Sequence, residues 1–315
     1  MATFLVTGAA GFIGSHLVEY LLKNNHQVVG LDNLSSGSND NLTFVKKLDH
    51  ASHFKLVQGD IRSKDLCEDL VKNVDFVLHQ AALSSVPKSF ENPLEVNDIN
   101  INGTLNLLQA AKKHPVKRFV LASSCSVYGD TPHLPIPETA HFFPMSPYAI
   151  SKATAEFYTR LYYEDFGVPT VNLRYFNVFG PRQKLDSDYS AVIPKFIKAI
   201  LNNEKVTIYG NGQQTRDFVY VKNIVLANVF ACFASQDYLG KSINIGTGHS
   251  ISILDLVESI LKLTEKETTL QFLPRRTGDI EKSVADIKAL KGLNIKMDEW
   301  VSFEDGLAQL IESLK

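Results

Sequence analysis

Tyr148 and Lys152 stand four residues apart, a spacing that puts both side chains on one face of a helix. A tyrosine needs such help to act as a base. Its free pKa of ~10 leaves it protonated near neutrality, and lowering that value tenfold in acidity takes ~1.4 kcal/mol. An ammonium group close by favours the phenolate through charge attraction. Tyr-x-x-x-Lys also occurs by chance, and taken alone it describes a surface pair. Here it follows a serine-rich turn, Ser123-Ser124-Cys125-Ser126, at the end of an apolar run of strand length. At the carboxyl end of such a strand the Ser124 hydroxyl can bridge a substrate oxygen and Tyr148, easing proton transfer. The plainer alternative for Ser123, Ser124 and Ser126 is hydroxyl capping of a strand end.

A second constellation is built of glycine. Thr7-Gly8-Ala9-Ala10-Gly11-Phe12-Ile13-Gly14 follows the first apolar run and opens a helical stretch. Gly8, Gly11 and Gly14 permit a tight turn, close backbone approach to a pyrophosphate and close helix–strand packing. The helix N-terminus offers unpaired N–H groups and a positive dipole end to the phosphates. Asp32 ends the next run, 18 residues beyond Gly14, where a carboxylate accepts bonds from an adenosine ribose. No arginine follows Asp32 to receive a 2′-phosphate, which favours NAD over NADP; the alternative is a turn aspartate before Asn33. Gly59-Asp60-Ile61 offers a carboxylate and a backbone amide to the adenine edge, although an Asp helix cap explains it nearly as well.

These residues need a scaffold that brings strand ends together. Short apolar runs at Phe4–Val6, Val28–Leu31, Phe54–Val57, Phe76–Leu78, Phe119–Leu121 and Val171–Tyr175 alternate with helical-period stretches. That alternation predicts an α/β fold, a doubly wound parallel sheet (Rossmann-like) covered on both faces. Beyond residue 180 the pattern loosens into helices near Val192–Leu201, Val221–Ala234 and Ile253–Leu263, with strands at Val206–Tyr209 and Ser242–Ile245. We expect a cofactor domain over 1–180 and a smaller α/β C-terminal substrate lobe over 181–315. The boundary is soft, because no Pro/Gly/Ser-rich linker marks it, and it leaves the chain free to cross between lobes more than once. At ~150 residues per domain, 315 residues suit two such units. With 32 basic and 34 acidic residues the net charge is −2, which argues against a nucleic-acid partner. No run reaches the ~18 apolar residues of a membrane span. The apolar N-terminus runs straight into the glycine turn and reads as a strand rather than a signal peptide. Three scattered cysteines, Cys67, Cys125 and Cys232, fit a reducing cytosol and neither a disulfide framework nor a metal site.

The Gly-x-x-Gly-x-x-Gly spacing resembles that of the extended short-chain dehydrogenase/reductase superfamily. The resemblance continues through His79-Gln80-Ala81-Ala82, Asn100-Ile101-Asn102-Gly103-Thr104, Ser123 to Gly129, Tyr148 to Lys152, Leu173 to Gly180 and Thr215-Arg216-Asp217-Phe218. It spans essentially the whole chain and points, within the UDP-hexose 4-epimerase family, to the UDP-N-acetylglucosamine 4-epimerases. It implies an isomerase with retained NAD. Tyr148 would take the proton of the sugar's 4-hydroxyl while C4 gives hydride to the cofactor. The 4-keto sugar would then turn over, and hydride would return to its opposite face. Implied cofactor contacts are Gly8, Gly11, Phe12, Ile13, Gly14, Asp32, Asn33, Asp60, Ile61, Gln80, Ala81, Ala82, Asn100, Tyr148, Lys152 and Tyr175. Related dehydratases and decarboxylases carry acids just after the catalytic Thr, where this chain has Cys125 and Ser126, so the chemistry should stop at oxidation and return. Uronate 4-epimerases resemble Arg-Phe-Phe-Thr where this chain reads Arg174-Tyr175-Phe176-Asn177.

For the nucleotide sugar, the resemblance assigns Arg216 and Arg276 to the diphosphate, a task suited to guanidinium forks. It assigns Asp279 to the ribose hydroxyls and Asn177 to the phosphate–sugar region. Tyr209 is placed beside uracil, with a strand-end core tyrosine as competitor. Ser84, Ser85, Ser124, Cys125, Ser126, Tyr148 and Val192 complete the expected substrate contacts, together with Ser283. The Ser283 position faces the nicotinamide in the resembled family, and a small residue there leaves room for an N-acetyl group; a solvent-facing loop serine is the alternative. UDP-GlcNAc and UDP-GalNAc are the expected pair, with UDP-glucose and UDP-galactose second and a uronic sugar third. A catalytically silent NAD or nucleotide-sugar sensor is the reading of another class. The family also implies a homodimer through a four-helix bundle of the helices around 103–112 and 147–165.

Overall fold

The apolar runs of the first half become parallel strands because helices cover both of their faces. The computed structural model describes residues 1–184, 192–275, 280–293, 295 and 299–314. The first half contains β1 (Thr3–Thr7), α1 (Phe12–Lys23), β2 (Gln27–Asp32), β3 (Phe54–Gln58), α2 (Lys64–Val71) and β4 (Phe76–His79). It continues with α3 (Val86–Glu91), α4 (Pro93–Asn97), α5 (Gly103–Lys113), β5 (Arg118–Ser124), α6 (Pro147–Phe166) and β6 (Thr170–Tyr175). Then follow β7 (Asn177–Phe179), α7 (Val192–Leu201), β8 (Val206–Tyr209), β9 (Thr215–Arg216), β10 (Phe218–Tyr220) and α8 (Val221–Phe233). β11 (Ser242–Ile245), β12 (Ile251–Ser252), α9 (Ile253–Thr264), β13 (Leu270–Leu273), α10 (Lys288–Lys291) and α11 (Phe303–Glu312) complete the chain.

The central sheet has seven parallel strands in the order β3-β2-β1-β4-β5-β6-β11. Strand order reverses between β1 and β4, and the crevice at that switch point is where open α/β sheets bind ligands. The strand ends that carry Gly8, Asp32, Asp60, Ala81 and Ser124 all open toward it. One face buries Phe4, Val6, Leu17 and Val171 under α1 and α8, and the other buries Leu5, Val77, Leu107 and Phe119 under α2, α5 and α6.

Ser242–Ile245, read above as a strand of the second lobe, instead joins the central sheet. It pairs with β6 from Ser242↔Asn172 to Ile245↔Tyr175. The pairing satisfies the edge of β6 and buries Ile243 and Ile245 completely. A second core gathers Ile193, Ile197, Ile208, Leu256, Ile260 and Leu307, from α7, β8, α9 and α11, against Phe179 and Tyr220. It stands beside the carboxyl ends of the sheet through the short β7–β10 pair.

Candidate active site

The glycine turn sets the first wall of the cleft. Gly8 has φ +67°, and a Cβ there would lie 3.0 Å from the Ala81 amide nitrogen. A Cβ at Gly14 would lie 2.0 Å from the Gly8 carbonyl oxygen, so α1 rests directly on the turn. The N-cap, Gly11, supplies no side-chain hydrogen bond, and the first turn holds no acidic residue. Its amides and dipole therefore remain available to an anion. Asp32 is buried at the end of β2, with its carboxylate oriented by the amides of Ala10 at 2.9 Å and Leu34 at 2.8 Å. Each oxygen keeps a lone pair for a ribose hydroxyl.

The cleft holds about 500 Å³. The glycine turn with Phe12 and Ile13, then Asp32 and Asn33, Asp60 and Ile61, and Gln80 to Ala82 form its walls, with Tyr148, Lys152 and Tyr175 at the inner end. The shape and the donors suit a dinucleotide laid across the switch point. Gln80 and Tyr175 are fixed through Asn228: its amide donates to the Tyr175 hydroxyl, which donates to Gln80, whose own amide donates back to Asn228.

Asn100, expected to touch the cofactor, lies one layer behind the cleft. Its side chain bonds both backbone groups of Leu83 and the Ser151 hydroxyl, so its contact is with the cleft wall and with α6. Asp60 is met by the Arg62 guanidinium and by Asn33, which hold its carboxyl down at about 2. Arg62, absent from the expected contacts, lines the cleft while also reaching Asp98. Buried His79 bonds Thr7 Oγ1 at 2.8 Å and Thr104 Oγ1 at 2.9 Å. Thr104 gives its hydrogen to the Asn100 carbonyl, so it accepts from Nε2–H, leaving Nδ1 to accept from Thr7. Burial holds this imidazole neutral, its pKa lowered to about 3.

At the inner end, α6 starts cleanly. Ser146 caps the Ala149 amide, Pro147 takes the first helical position, and Gly167 at φ +70° ends the helix. The Ser124 side chain faces the Tyr148 hydroxyl. Burial pushes the Tyr148 pKa up to about 12 while Ser124 works in the opposite sense. Lys152 donates to the Ala122 carbonyl at 2.8 Å, and its Nζ lies 5.9 Å from the centre of the Tyr148 ring. Enclosure lowers the Lys152 pKa to about 8, opposed by Glu156. Ser124, Tyr148 and Lys152 thus meet at the carboxyl end of β5.

Beyond Ser124 the cleft passes to the second layer. Cys125 lies beside Ser283 and feels the charges of Arg216 and Asp217. Burial pushes the Cys125 thiol up to about 12, so it stays a neutral lining group. Ser283 is buried, which removes the solvent-facing alternative. Ser126 Oγ is buried and has no partner among the described residues, a polar atom still to be satisfied.

Asp217, part of the Thr215–Phe218 motif but given no role from sequence, joins these parts. Its carboxylate accepts from the amide and hydroxyl of Thr247 and from the amides of Gly248 and Ala285, at 2.7–3.1 Å. Its backbone carbonyl accepts from both the backbone and the side-chain N–H of Asn177. Ser84 lies on the cleft rim, whereas Ser85 caps α3 through the Lys88 amide. Val192 begins α7, packed on the second core. Tyr209 ends β8 opposite Leu273, two residues before Arg275. Arg276 and Asp279 lie outside the described residues.

The fold and the cleft define a dinucleotide-binding α/β protein of the Rossmann type with a second, ligand-facing layer. The chain belongs to the NAD dependent epimerase/dehydratase family, whose profile matches residues 4–246, and its cofactor is NAD. It is 37% identical over 313 residues to a putative UDP-glucose 4-epimerase of Methanocaldococcus jannaschii, covering 99% of this chain and 98% of that one. Among solved structures it resembles the UDP-N-acetylglucosamine 4-epimerase of Methanobrevibacter ruminantium M1 in complex with UDP-N-acetylmuramic acid. That likeness has a TM-score of 0.92 at 42% identity, over 99% and 98% of the two chains. The UDP-glucose 4-epimerase of Thermotoga maritima, solved with UDP-glucose, gives a TM-score of 0.91 at 34% identity over the same shares.

Proposed function

We propose that this protein is a UDP-sugar 4-epimerase that inverts C4 by oxidation and return. The observation that carries this is the meeting of Ser124, Tyr148 and Lys152 at the carboxyl end of β5, with Cys125 and Ser126 in place of acids beside them. The glycine turn, Asp32 and the strand ends around the cleft would hold NAD, which when bound would supply a hydride acceptor and donor for C4. Ser124 orients the sugar's 4-hydroxyl toward Tyr148. Tyr148 takes its proton as a phenolate, which the Lys152 ammonium favours, and returns it in the second half of the cycle. Cys125 holds no charge at neutral pH and Ser126 is not an acid, so neither drives elimination or loss of a carboxyl group.

UDP-GlcNAc and UDP-GalNAc are the first-choice substrates, supported by the small, buried Ser283 beside Cys125 and by the likeness to an N-acetylglucosamine epimerase. Plain UDP-hexoses are second. Arg216 is assigned to the diphosphate, and Arg276 and Asp279 to the diphosphate and ribose. We further propose a homodimer. On α6, Ile150, Phe157 and Leu161 present apolar surface to solvent. No helix among the described residues is long and apolar enough to cross a membrane, and the free cysteines suit a reducing cytosol.

The test is incubation with each UDP-sugar and no added cofactor, reading C4 inversion by NMR, with denaturation of the purified protein to release NAD. Inversion of the acetylated pair is expected. Net accumulation of NADH, with dependence on added NAD, would make the protein a dehydrogenase instead.

A further inference from the structure

We infer that Glu156 is a positioning residue of the reaction: tied to Arg174, it fixes the end of β5 against α6 and sets an anion one turn from Lys152. Tyr148, Lys152 and Glu156 follow one another at four-residue spacing on one helix face. Each meets one of the last three residues of β5. Tyr148 faces Ser124, Lys152 donates to the Ala122 carbonyl, and Ser123 donates to Glu156. This gives Ser123 a task that strand-end capping does not.

Glu156 also accepts from the Ser242 hydroxyl at 2.7 Å and from Arg174, through Nη2 at 2.7 Å and Nε at 3.0 Å. Arg174 in turn donates to the Tyr128 hydroxyl and to the Glu138 carbonyl. Glu156 and Arg174 are only 4% and 5% exposed. A buried ion pair is a weak route to stability, since well-packed apolar residues of the same volume often do as well or better. Its place one turn below the catalytic lysine gives it another use.

The titratable and charged groups around Lys152 are Tyr148 on its own helix, neutral His79 from β4, Tyr175 from β6 and the Glu156–Arg174 pair. Of these, Glu156 alone is anionic. Burial disfavours the ammonium, and Glu156 opposes that loss. The helix that carries the base therefore also carries the counter-charge for the lysine that supports it.

The experiment, which rests on the epimerase reading for its kinetic arm only, titrates the holoenzyme with ¹³C-labelled lysine by NMR. The Lys152 signal is assigned by its loss in Lys152→Met. Glu156→Gln should lower the Lys152 midpoint by about one pH unit or more, the change a close opposite charge confers. The alkaline limb of kcat should move with it, while KM for the UDP-sugar holds. Ser123→Ala removes one bond and no charge, so its midpoint should stay at the wild-type value. If Glu156→Gln does not fold, Glu156→Gln with Arg174→Met leaves no unpaired buried cation and should lower the midpoint in the same direction by less, since the Arg174 charge is removed with it. An unchanged midpoint in whichever variant folds overturns the inference. So does failure of both to fold while Ser123→Ala is unaltered, which would make the pair purely structural. Absence of C4 inversion by the wild type would sink the functional reading and leave the NMR result standing.

Discussion

At the cofactor end of the cleft, Gly8, Asp32, Asp60 and Ala81 each lie at or just beyond the end of a strand of one sheet. At the end proposed for the sugar, Asn177, Arg216, Ser283 and Cys125 come from separate parts of the chain and are drawn together around Asp217. The first end is held by backbone geometry: glycine contacts, helix amides and parallel register. The second is held by one buried carboxylate with four donors around it. Outside the glycine turn, geometry fixed by a sheet tolerates changes of side chain, whereas geometry hung on one carboxylate does not. The two ends meet at Tyr148, where the proposed chemistry is placed.

Removing that meeting point should have the largest effect. Tyr148→Phe keeps the ring and removes the hydroxyl, so kcat should fall about 10²- to 10⁴-fold. NAD content and melting temperature should match the wild type, because neither end has been disturbed. Near-native turnover would move the proton to another group.

Asp217→Asn attacks the sugar end alone. The amide turns a donor toward groups that are themselves donors, and each unsatisfied buried group costs about 1–3 kcal/mol. KM for the UDP-sugar should rise about tenfold or more, while the NAD recovered on denaturation is unchanged. Loss of NAD together with affinity for the sugar would erase the contrast between the ends. Ser283→Tyr sharpens it further. Overpacking costs about 1–3 kcal/mol per site, so turnover of the acetylated sugars should fall by one to two orders of magnitude. UDP-glucose and UDP-galactose should be spared. Retained activity on the acetylated pair would show that Ser283 is not the gate.

The smallest effect belongs to the cofactor end. Arg62 holds the Asp60 carboxyl at about 2, below its ordinary 3.8. The stability this gives is present above about pH 4 and is lost as pH falls toward 2. Asp60→Asn should therefore melt slightly lower than wild type at pH 7, with the gap closing near pH 2. The difference should stay below about 1 kcal/mol, since the Arg62 side chain is 40% exposed. A gap that persists at pH 2 would mean that Asp60 acts through something other than its charge.

How much of this was legible in the sequence follows the same division. The strands at Phe4, Val28, Phe76 and Phe119 were legible because runs buried on both faces are continuously apolar. The glycine turn and Asp32 were legible because their spacing is local. Ser242–Ile245 was legible as a strand but not as a member of the first sheet, because pairing with Thr170–Tyr175 is settled by tertiary contact. Asp217 stood in a recognisable motif, yet its task depends on Thr247, Gly248 and Ala285 arriving beside it. Arg62 stands only two residues after Asp60, a local sign that went unread, while its reach to Asp98 is settled only in the fold. Glu156 did leave one: a carboxylate two helical turns after Tyr148 is visible in the sequence, and only its burial gives it meaning.

The seventh strand of the sheet has a consequence for synthesis of the chain. A ribosome that has made the first 180 residues has made six strands, but the outer edge of Thr170–Tyr175 still offers unpaired backbone groups. Val171 and Leu173 still lack Ile243 and Ile245 beside them. Such an edge is a template for pairing with another nascent chain. The cofactor-binding half is therefore sealed only when Ser242–Ile245 has emerged, and a fragment ending near residue 180 should aggregate rather than fold as a smaller NAD-binding protein.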